Sequence, residues 1–355
     1  MSEREYFDRL VDEDSLREFL ETELGTADTY EISYHTGGNS NEIIFVTWGD
    51  QELVLRRPPL DETADTAHEI LREFQVLSVL QDSAVPVPRT VTACENRSVL
   101  DCEFYLMERV GGEVIGDTEP DRFRTAAHRR RVGQEMVDTL ARIHEVNYES
   151  VGLAQFGRPE GFTQRQVDRW TEQKEWVTSR DALEREVTEL DKLGAWLADN
   201  VPETHPKTLV HGDFRLDNMV FGTGTPPELV AVLDWELSTL GDPLTDLGFL
   251  LVHWRDSKDE HPPAIPEWTT PYTAHEDYPT RVELVDRYET RTGIDFKHER
   301  FYRALAVFKE AVAGEMFYGR YLAGETEDPL YPKMEKRVPA MADRGLRIVH
   351  GEEPL

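Results

Sequence analysis

Lysine is nearly missing from this chain. Only eight occur in 355 residues (Lys174, Lys192, Lys207, Lys258, Lys297, Lys309, Lys333 and Lys336), so nothing before position 174 can supply an ammonium group. Cysteine is equally scarce. Cys94 and Cys102 are too few for a disulfide framework and lack metal-ligand spacing, which makes a reducing cytoplasm the expected compartment. No apolar run approaches the 18 or so residues of a membrane span. The first residues, Met1-Ser-Glu-Arg-Glu-Tyr-Phe-Asp8, are charged where a secretory leader is apolar.

Positive charge as a whole is also short. Seventy acidic residues against 39 basic ones give a net charge of −31 and a pI near 4.7. Such a field repels nucleic acid and anionic lipid, so neither is expected as a partner. Acids spread along the whole chain suggest a surface adapted to high salt, where self-repulsion is screened. An apolar content of 39%, with 10% aromatics, is that of a globular chain and not a disordered one.

The periodicity changes part-way along. Apolar residues at helical spacing predict a helix over 4–24, ending at Gly25. Strand-like runs at Tyr30–Tyr34, Glu42–Trp48 and Glu52–Arg56 follow as an antiparallel meander, then a helix over about 66–80 and strands at Thr90–Glu95 and Glu103–Glu108. Beyond Gly111-Gly112 the pattern is mainly helical, over about 122–145, 163–178, 181–200, 281–291 and 299–323, with a strand–loop–strand insert at 208–234. The expected organisation is a sheet-rich N-terminal lobe, 1–110, and a helical C-terminal lobe, 111–355. The Pro-rich stretch 261–279 reads as an exposed loop. The apolar face of Phe301–Leu322 reads as core, and Trp170, Trp176, Trp254 and Trp268 read as packing residues.

The chemistry concentrates in His211-Gly-Asp-Phe-Arg-Leu-Asp-Asn218, followed by Asp234-Trp235 at the end of an apolar strand. Each aspartate alone is most often a turn residue or a helix cap. Together they are more specific. Asp213 precedes Asn218 by five residues, the spacing of a kinase catalytic loop, and phosphoryl transfer needs a carboxylate to orient a hydroxyl, oxygen ligands for magnesium and a cation near the moving phosphoryl. Arg215 can be that cation. Gly37-Gly-Asn-Ser-Asn41 lies between two strands, where glycines permit close backbone approach and N–H groups or the Ser40 hydroxyl can meet phosphate oxygens.

These residues, with Val54-Leu-Arg-Arg-Pro-Pro59, Phe104-Tyr-Leu-Met-Glu108 and Asp234-Trp-Glu-Leu-Ser-Thr-Leu-Gly-Asp-Pro-Leu-Thr-Asp-Leu-Gly248, resemble the aminoglycoside phosphotransferase and choline kinase superfamily. They look most similar to the branch containing the kinase-like domain attached to some acyl-CoA dehydrogenases. The resemblance covers about 10–325 and implies an α+β, protein-kinase-like fold, with a small antiparallel-sheet N-lobe and a larger helical C-lobe. It implies ATP and Mg²⁺ as cofactors, Asp213 as catalytic base, and Asn218 and Asp234 as metal ligands. Gly37, Gly38, Asn39, Ser40 and Asn41 would form the phosphate-covering loop, and Glu108 and Val110 would present backbone groups to adenine. Asp246 would brace the catalytic loop, with Asp242 structural or a helix cap, and His211 would organise that loop.

One position departs from the protein-kinase pattern. Where those enzymes carry a strand lysine paired to a helix glutamate, this sequence offers Arg56, with Glu73 as the expected partner and Arg57 beside it. An arginine still binds phosphate, but through a planar fork and not a point charge. The expected activity is phosphorylation of a hydroxyl on a small metabolite, with a hydroxyacyl compound suggested by the branch and a link to acyl-CoA metabolism. Alternatives are an aminoglycoside, choline or homoserine kinase, and a nucleotide-binding pseudokinase acting as regulator or scaffold. No Asp-Phe-Gly to Ala-Pro-Glu activation segment follows Asp234, which disfavours a protein kinase.

Overall fold

The computed structural model describes residues 3–35, 41–60, 67–116, 118–179, 185–203, 206–326 and 328–355. The chain divides into two compact units, one of residues 1–113 with 230–238, the other of 114–229 with 239–355.

The first unit opens with α1 (Glu3–Leu10) and α2 (Glu13–Leu24). The single helix expected over 4–24 is therefore broken. Asp12 takes extended backbone geometry and its carboxylate accepts the Ser15 N–H at 2.8 Å, capping a new helix. Strands β1 (Tyr30–His35), β2 (Glu42–Trp48) and β3 (Gln51–Arg57) form the meander, then come α3 (Ala67–Leu80), β4 (Thr90–Cys94) and β5 (Phe104–Glu108). The sheet is antiparallel in the order β1-β2-β3-β5-β4, with Leu55 opposite Ile44 on one side and Leu106 on the other. Leu16 and Leu20 of α2 are buried with Ile44, Val46, Leu53, Leu55, Phe104 and Leu106, which together form the core of this unit.

The second unit follows the two-residue strand β6 (Glu113–Val114). Its elements are α4 (Ala126–His144), α5 (Phe162–Thr178), α6 (Thr188–Asp199), β7 (Thr208–Val210), β8 (Met219–Phe221), β9 (Leu229–Val232) and β10 (Thr239–Gly241), then α7 (Leu244–His253), α8 (Arg281–Thr292), α9 (Glu299–Leu322) and α10 (Met334–His350). Strand β9 is where the chain passes into the first unit for residues 230–238. Helix α9 is the hub. Its Phe301, Leu305, Phe308 and Val312, spaced for one helical face, are buried as expected of core, but Met316 and Phe317 are only half-buried and Tyr321 and Leu322 are each 42% exposed, so the C-terminal end of the helix is not core.

Four local expectations need correction. The helix expected over 181–200 is shorter, Thr188–Asp199, and positions 181–184 lie outside the described residues. Helix α10 was not anticipated from sequence, and Pro339 lies inside it. The stretch 261–279 is not simply an exposed loop. It forms two 3-10 turns, Pro266–Trp268 and Pro271–Ala274, and buries Ile265, Thr270, Thr273 and Tyr278. Trp254 is fully packed, its indole N–H donating to Pro279 O, whereas Trp176 is 55% exposed and does not belong to the core.

Candidate active site

Strand β7 ends at Val210 and delivers His211-Gly-Asp213 into a turn. That turn is held from below by Asp246 in the first turn of α7. Its carboxylate accepts the His211 N–H at 2.6 Å and the Gly212 N–H at 2.8 Å. Asp246 in turn is 3.3 Å from His144 Nε2, whose Nδ1 is 2.7 Å from the Tyr288 hydroxyl. The group is buried, and burial alone would push the Asp246 carboxyl up. The contacts with His144 and His211 outweigh that and hold it below the usual carboxylate value.

Asp213 emerges from this braced turn. Its own N–H donates to His211 Nδ1 at 3.2 Å, and Asn218 Nδ2 donates to its carboxylate and to its backbone oxygen, both at 2.8 Å. The short 3-10 turn Leu216–Asn218 makes that closure possible by folding the side chain of Asn218 back over five residues. Burial opposes ionisation of Asp213, but Arg215, His253, His211 and the Asn218 amide outweigh it and lower its pKa, which favours the ionised carboxylate. Arg215 Nε lies 3.6 Å from Asp213 Oδ1 and 3.4 Å from Asp217 Oδ2. Asp217 was not singled out from sequence, although its place beside Asn218 was a usable signal.

Asp242 lies just before α7. It accepts the Leu244 N–H at 3.0 Å and the Tyr302 hydroxyl at 2.7 Å, so it combines a helix-start contact with a tie to α9. His253 lies at the end of α7, with Nε2 2.7 Å from Glu310 and Nδ1 2.5 Å from Trp268 O.

The second constellation belongs to the first unit. Arg56, on β3, is 5% exposed and divides its fork. Nη1 meets Glu73 Oε1 at 2.7 Å and Nη2 meets Asp234 Oδ1 at 3.1 Å. Burial works against the Arg56 charge, but Glu73, Tyr105, Asp234 and Glu236 more than compensate and hold it protonated. The Trp235 N–H donates to the same Glu73 oxygen at 3.1 Å, fixing the chain after Asp234. Asp234 itself has φ = 64°, a left-handed conformation uncommon outside glycine, and such strain is held only where surrounding contacts impose it. Arg57 points elsewhere, its guanidinium bound to Leu10 O and Leu100 O, so it is a structural residue of the N-terminal core.

Asn41 joins this group, donating from Nδ2 to Glu236 Oε2 at 3.0 Å, and that same oxygen is 4.0 Å from Arg56 Nη2. Glu236 went unnoticed as a site residue in the sequence. Gly37, Gly38, Asn39 and Ser40 lie outside the described residues. Glu108 ends β5 with its N–H on Arg89 O, and Arg109 N–H donates to Glu52 O, so Glu108 and Val110 follow directly from the sheet edge.

No group of three or more His, Cys, Asp or Glu side chains gathers as a metal cage among the described residues. Magnesium seldom uses one, because it binds through one or two protein oxygens and keeps phosphate and water for the rest. The donor chemistry fits: with its Nδ2 engaged by Asp213, Asn218 has its Oδ1 as the acceptor end, and the Asp234 carboxylate is 29% exposed.

Residues 31–282 match the family described as phosphotransferase enzymes. The chain belongs to that family. It is 34% identical over 328 residues to human acyl-CoA dehydrogenase family member 11, covering 90% of this chain and 40% of that protein, so the chain spans well under half the length of this relative. A crystal structure from Ralstonia eutropha, assigned to the aminoglycoside phosphotransferases, superposes with a TM-score of 0.81 at 29% identity, covering 96% of this chain and 98% of the other. An aminoglycoside phosphotransferase solved with GDP and kanamycin shares the fold, with a TM-score of 0.63 at 14% identity over 92% of this chain and 97% of that one. The fold is thus protein-kinase-like, with a five-stranded antiparallel sheet and a larger helical region, and the protein is a kinase-like phosphotransferase. Among the described residues no helix is long and apolar enough to cross a membrane.

Proposed function

We propose that this phosphotransferase moves the γ-phosphoryl group of ATP to a hydroxyl of a small metabolite, and that the acceptor is a hydroxylated acyl compound. The observation that carries the reading is the Asp213 carboxylate, kept ionised in a turn whose N–H groups are tied down by Asp246 and whose side chain is oriented by Asn218. Asp213 accepts the proton of the acceptor hydroxyl, and Arg215, held between Asp213 and Asp217, offers its guanidinium to the moving phosphoryl. Arg56, presented by Glu73, binds nucleotide phosphate in the role taken elsewhere by lysine, with Asn41 closing the end of the phosphate-covering loop. Asn218 and Asp234 would hold magnesium, which when bound would neutralise charge on the phosphate oxygens. Support for an acyl acceptor is the likeness to relatives named as acyl-CoA dehydrogenases, with the link to acyl-CoA metabolism that this suggests.

The test is ATP turnover with and without magnesium, wild type against Asp213→Ala, across hydroxy acids and hydroxyacyl-CoA thioesters in molar KCl. Wild type consumes ATP with at least one acceptor only when magnesium is present, and the variant loses about 10²- to 10⁴-fold. If no acceptor gives Asp213-dependent turnover, the chain is a nucleotide-binding scaffold instead. Protection of a sensitive host against kanamycin would make it an aminoglycoside kinase.

A further inference from the structure

Among 70 carboxylates and eight lysines, a sheltered lysine with no acid beside it is out of place. Five of the eight (Lys174, Lys192, Lys207, Lys297 and Lys333) lie within 4.0 Å of a carboxylate. Lys258 and Lys336 are exposed and solvated. Lys309 is neither. It stands half-buried on α9, and among the described residues no carboxylate oxygen comes within ion-pair distance of its Nζ.

Its surroundings come from three helices and the catalytic turn. The Nζ is 3.4 Å from Gly212 O, the carbonyl just before Asp213. It lies 5.4 Å from the ring centre of Phe249 on α7 and 5.9 Å from that of Trp170 on α5, both within cation–π range. Burial depresses the amine, against the pull of Asp213, Asp246 and Glu310, and Arg169 adds a second positive charge nearby. One weak carbonyl contact and two ring faces do not replace the hydration of an ammonium ion. Asp213, Asp246 and Glu310 act on it from a distance, and among the described residues none of them closes an ion pair with it.

We propose that Lys309 is the specificity-determining counter-ion for an anionic group on the phosphoryl acceptor. This rests on reading Asp213 as the base. The acceptor hydroxyl must come to Asp213, and the Lys309 cation stands 3.4 Å from the carbonyl that precedes Asp213, within reach of an anionic group carried close to that hydroxyl. Arg215, beside Asp213, is already assigned to the moving phosphoryl. A carboxylate, or another anion of similar size, is the chemistry that completes Lys309. A polycationic acceptor is repelled by it.

The experiment measures binding, by titration calorimetry, of short-chain hydroxy acids and of their matched primary amides to wild type, Lys309→Met and Lys309→Arg. Asp213-dependent ATP consumption is followed in parallel. In wild type at least one hydroxy acid binds about tenfold or more tightly than its amide, the difference expected of a charge-assisted hydrogen bond. Lys309→Met abolishes that preference with the nucleotide affinity unchanged, and Lys309→Arg restores part of it. Equal binding of acid and amide by wild type overturns the proposal, a result that needs no variant to fold. So does failure of every hydroxy acid to bind, a preference that survives in Lys309→Met, or a loss confined to the nucleotide. A carboxylate preference without any ATP consumption would leave the anion site standing and sink the phosphotransfer reading instead.

Discussion

Arg56 Nη1 lies 2.7 Å from Glu73 Oε1, and both residues are at most 5% exposed. An arginine has thus been fitted into a buried ion pair in a unit that contains no lysine. Its second nitrogen reaches Asp234 as well at 3.1 Å, so the planar fork gives each carboxylate a nitrogen of its own.

Breaking the pair leaves Glu73 as an uncompensated buried charge. Arg56→Met should lower stability by about 3–5 kcal/mol in denaturant titrations, because the desolvation cost remains and the attraction is gone. The double variant Arg56→Met/Glu73→Leu should recover much of that loss. Equal destabilisation in single and double variants would mean the pair is not what the site depends on.

Asp246 gives a pH signature. Its carboxyl is held below the ordinary aspartate value of about 3.9 in the folded chain, so its stabilising contribution is complete above that value and is lost as pH falls through the lower folded value. The stability gap between wild type and Asp246→Asn should be constant near neutrality, at about 1.5–3 kcal/mol for charged hydrogen bonds. It should shrink in acid, below about pH 4. Unfolding midpoints measured from pH 7 to pH 3 check this, and a gap that widens in acid contradicts the assignment.

Gly248 marks the closest approach of α7 and α9. A Cβ there would meet the Tyr302 backbone carbon and oxygen, both at 2.8 Å, and backbone cannot swing aside as a flexible side chain can. Gly248→Ala should cost about 1–3 kcal/mol, as overpacking does. It should also disturb the hydrogen bond from Tyr302 to Asp242 at 2.7 Å. Thermal unfolding reads the first effect, and an unchanged midpoint would show that the two helices can separate freely.

The net charge of −31 predicts a salt response. Raising ionic strength from about 0.1 M to 1 M shortens the screening length from about 10 Å to 3 Å. Repulsion among the surface acids weakens, so the unfolding midpoint should rise with KCl. A falling midpoint would mean that surface ion pairs outweigh the repulsion.

The sequence by itself determined whatever is local or set by spacing. The reach from Asp213 to Asn218 is a matter of five residues and one tight turn, and the strand and helix periods set out a sheet-rich stretch followed by a helical one. The break at Asp12 was legible in principle from its capping chemistry, but the apolar positions on either side kept one helical rhythm and masked it. Tertiary structure alone decided the rest. Residues 230–238 pack with the first unit, which puts Asp234 on Arg56 across 178 positions and Glu236 on Asn41 across 195. The side chain of Lys309 reaches Gly212 across 97 positions because α9 packs beside the catalytic turn. No period or motif encodes such meetings. They depend on how whole helices and sheets bury their apolar faces, and a lysine without an ion-pair partner among the described residues can be recognised only in the folded chain.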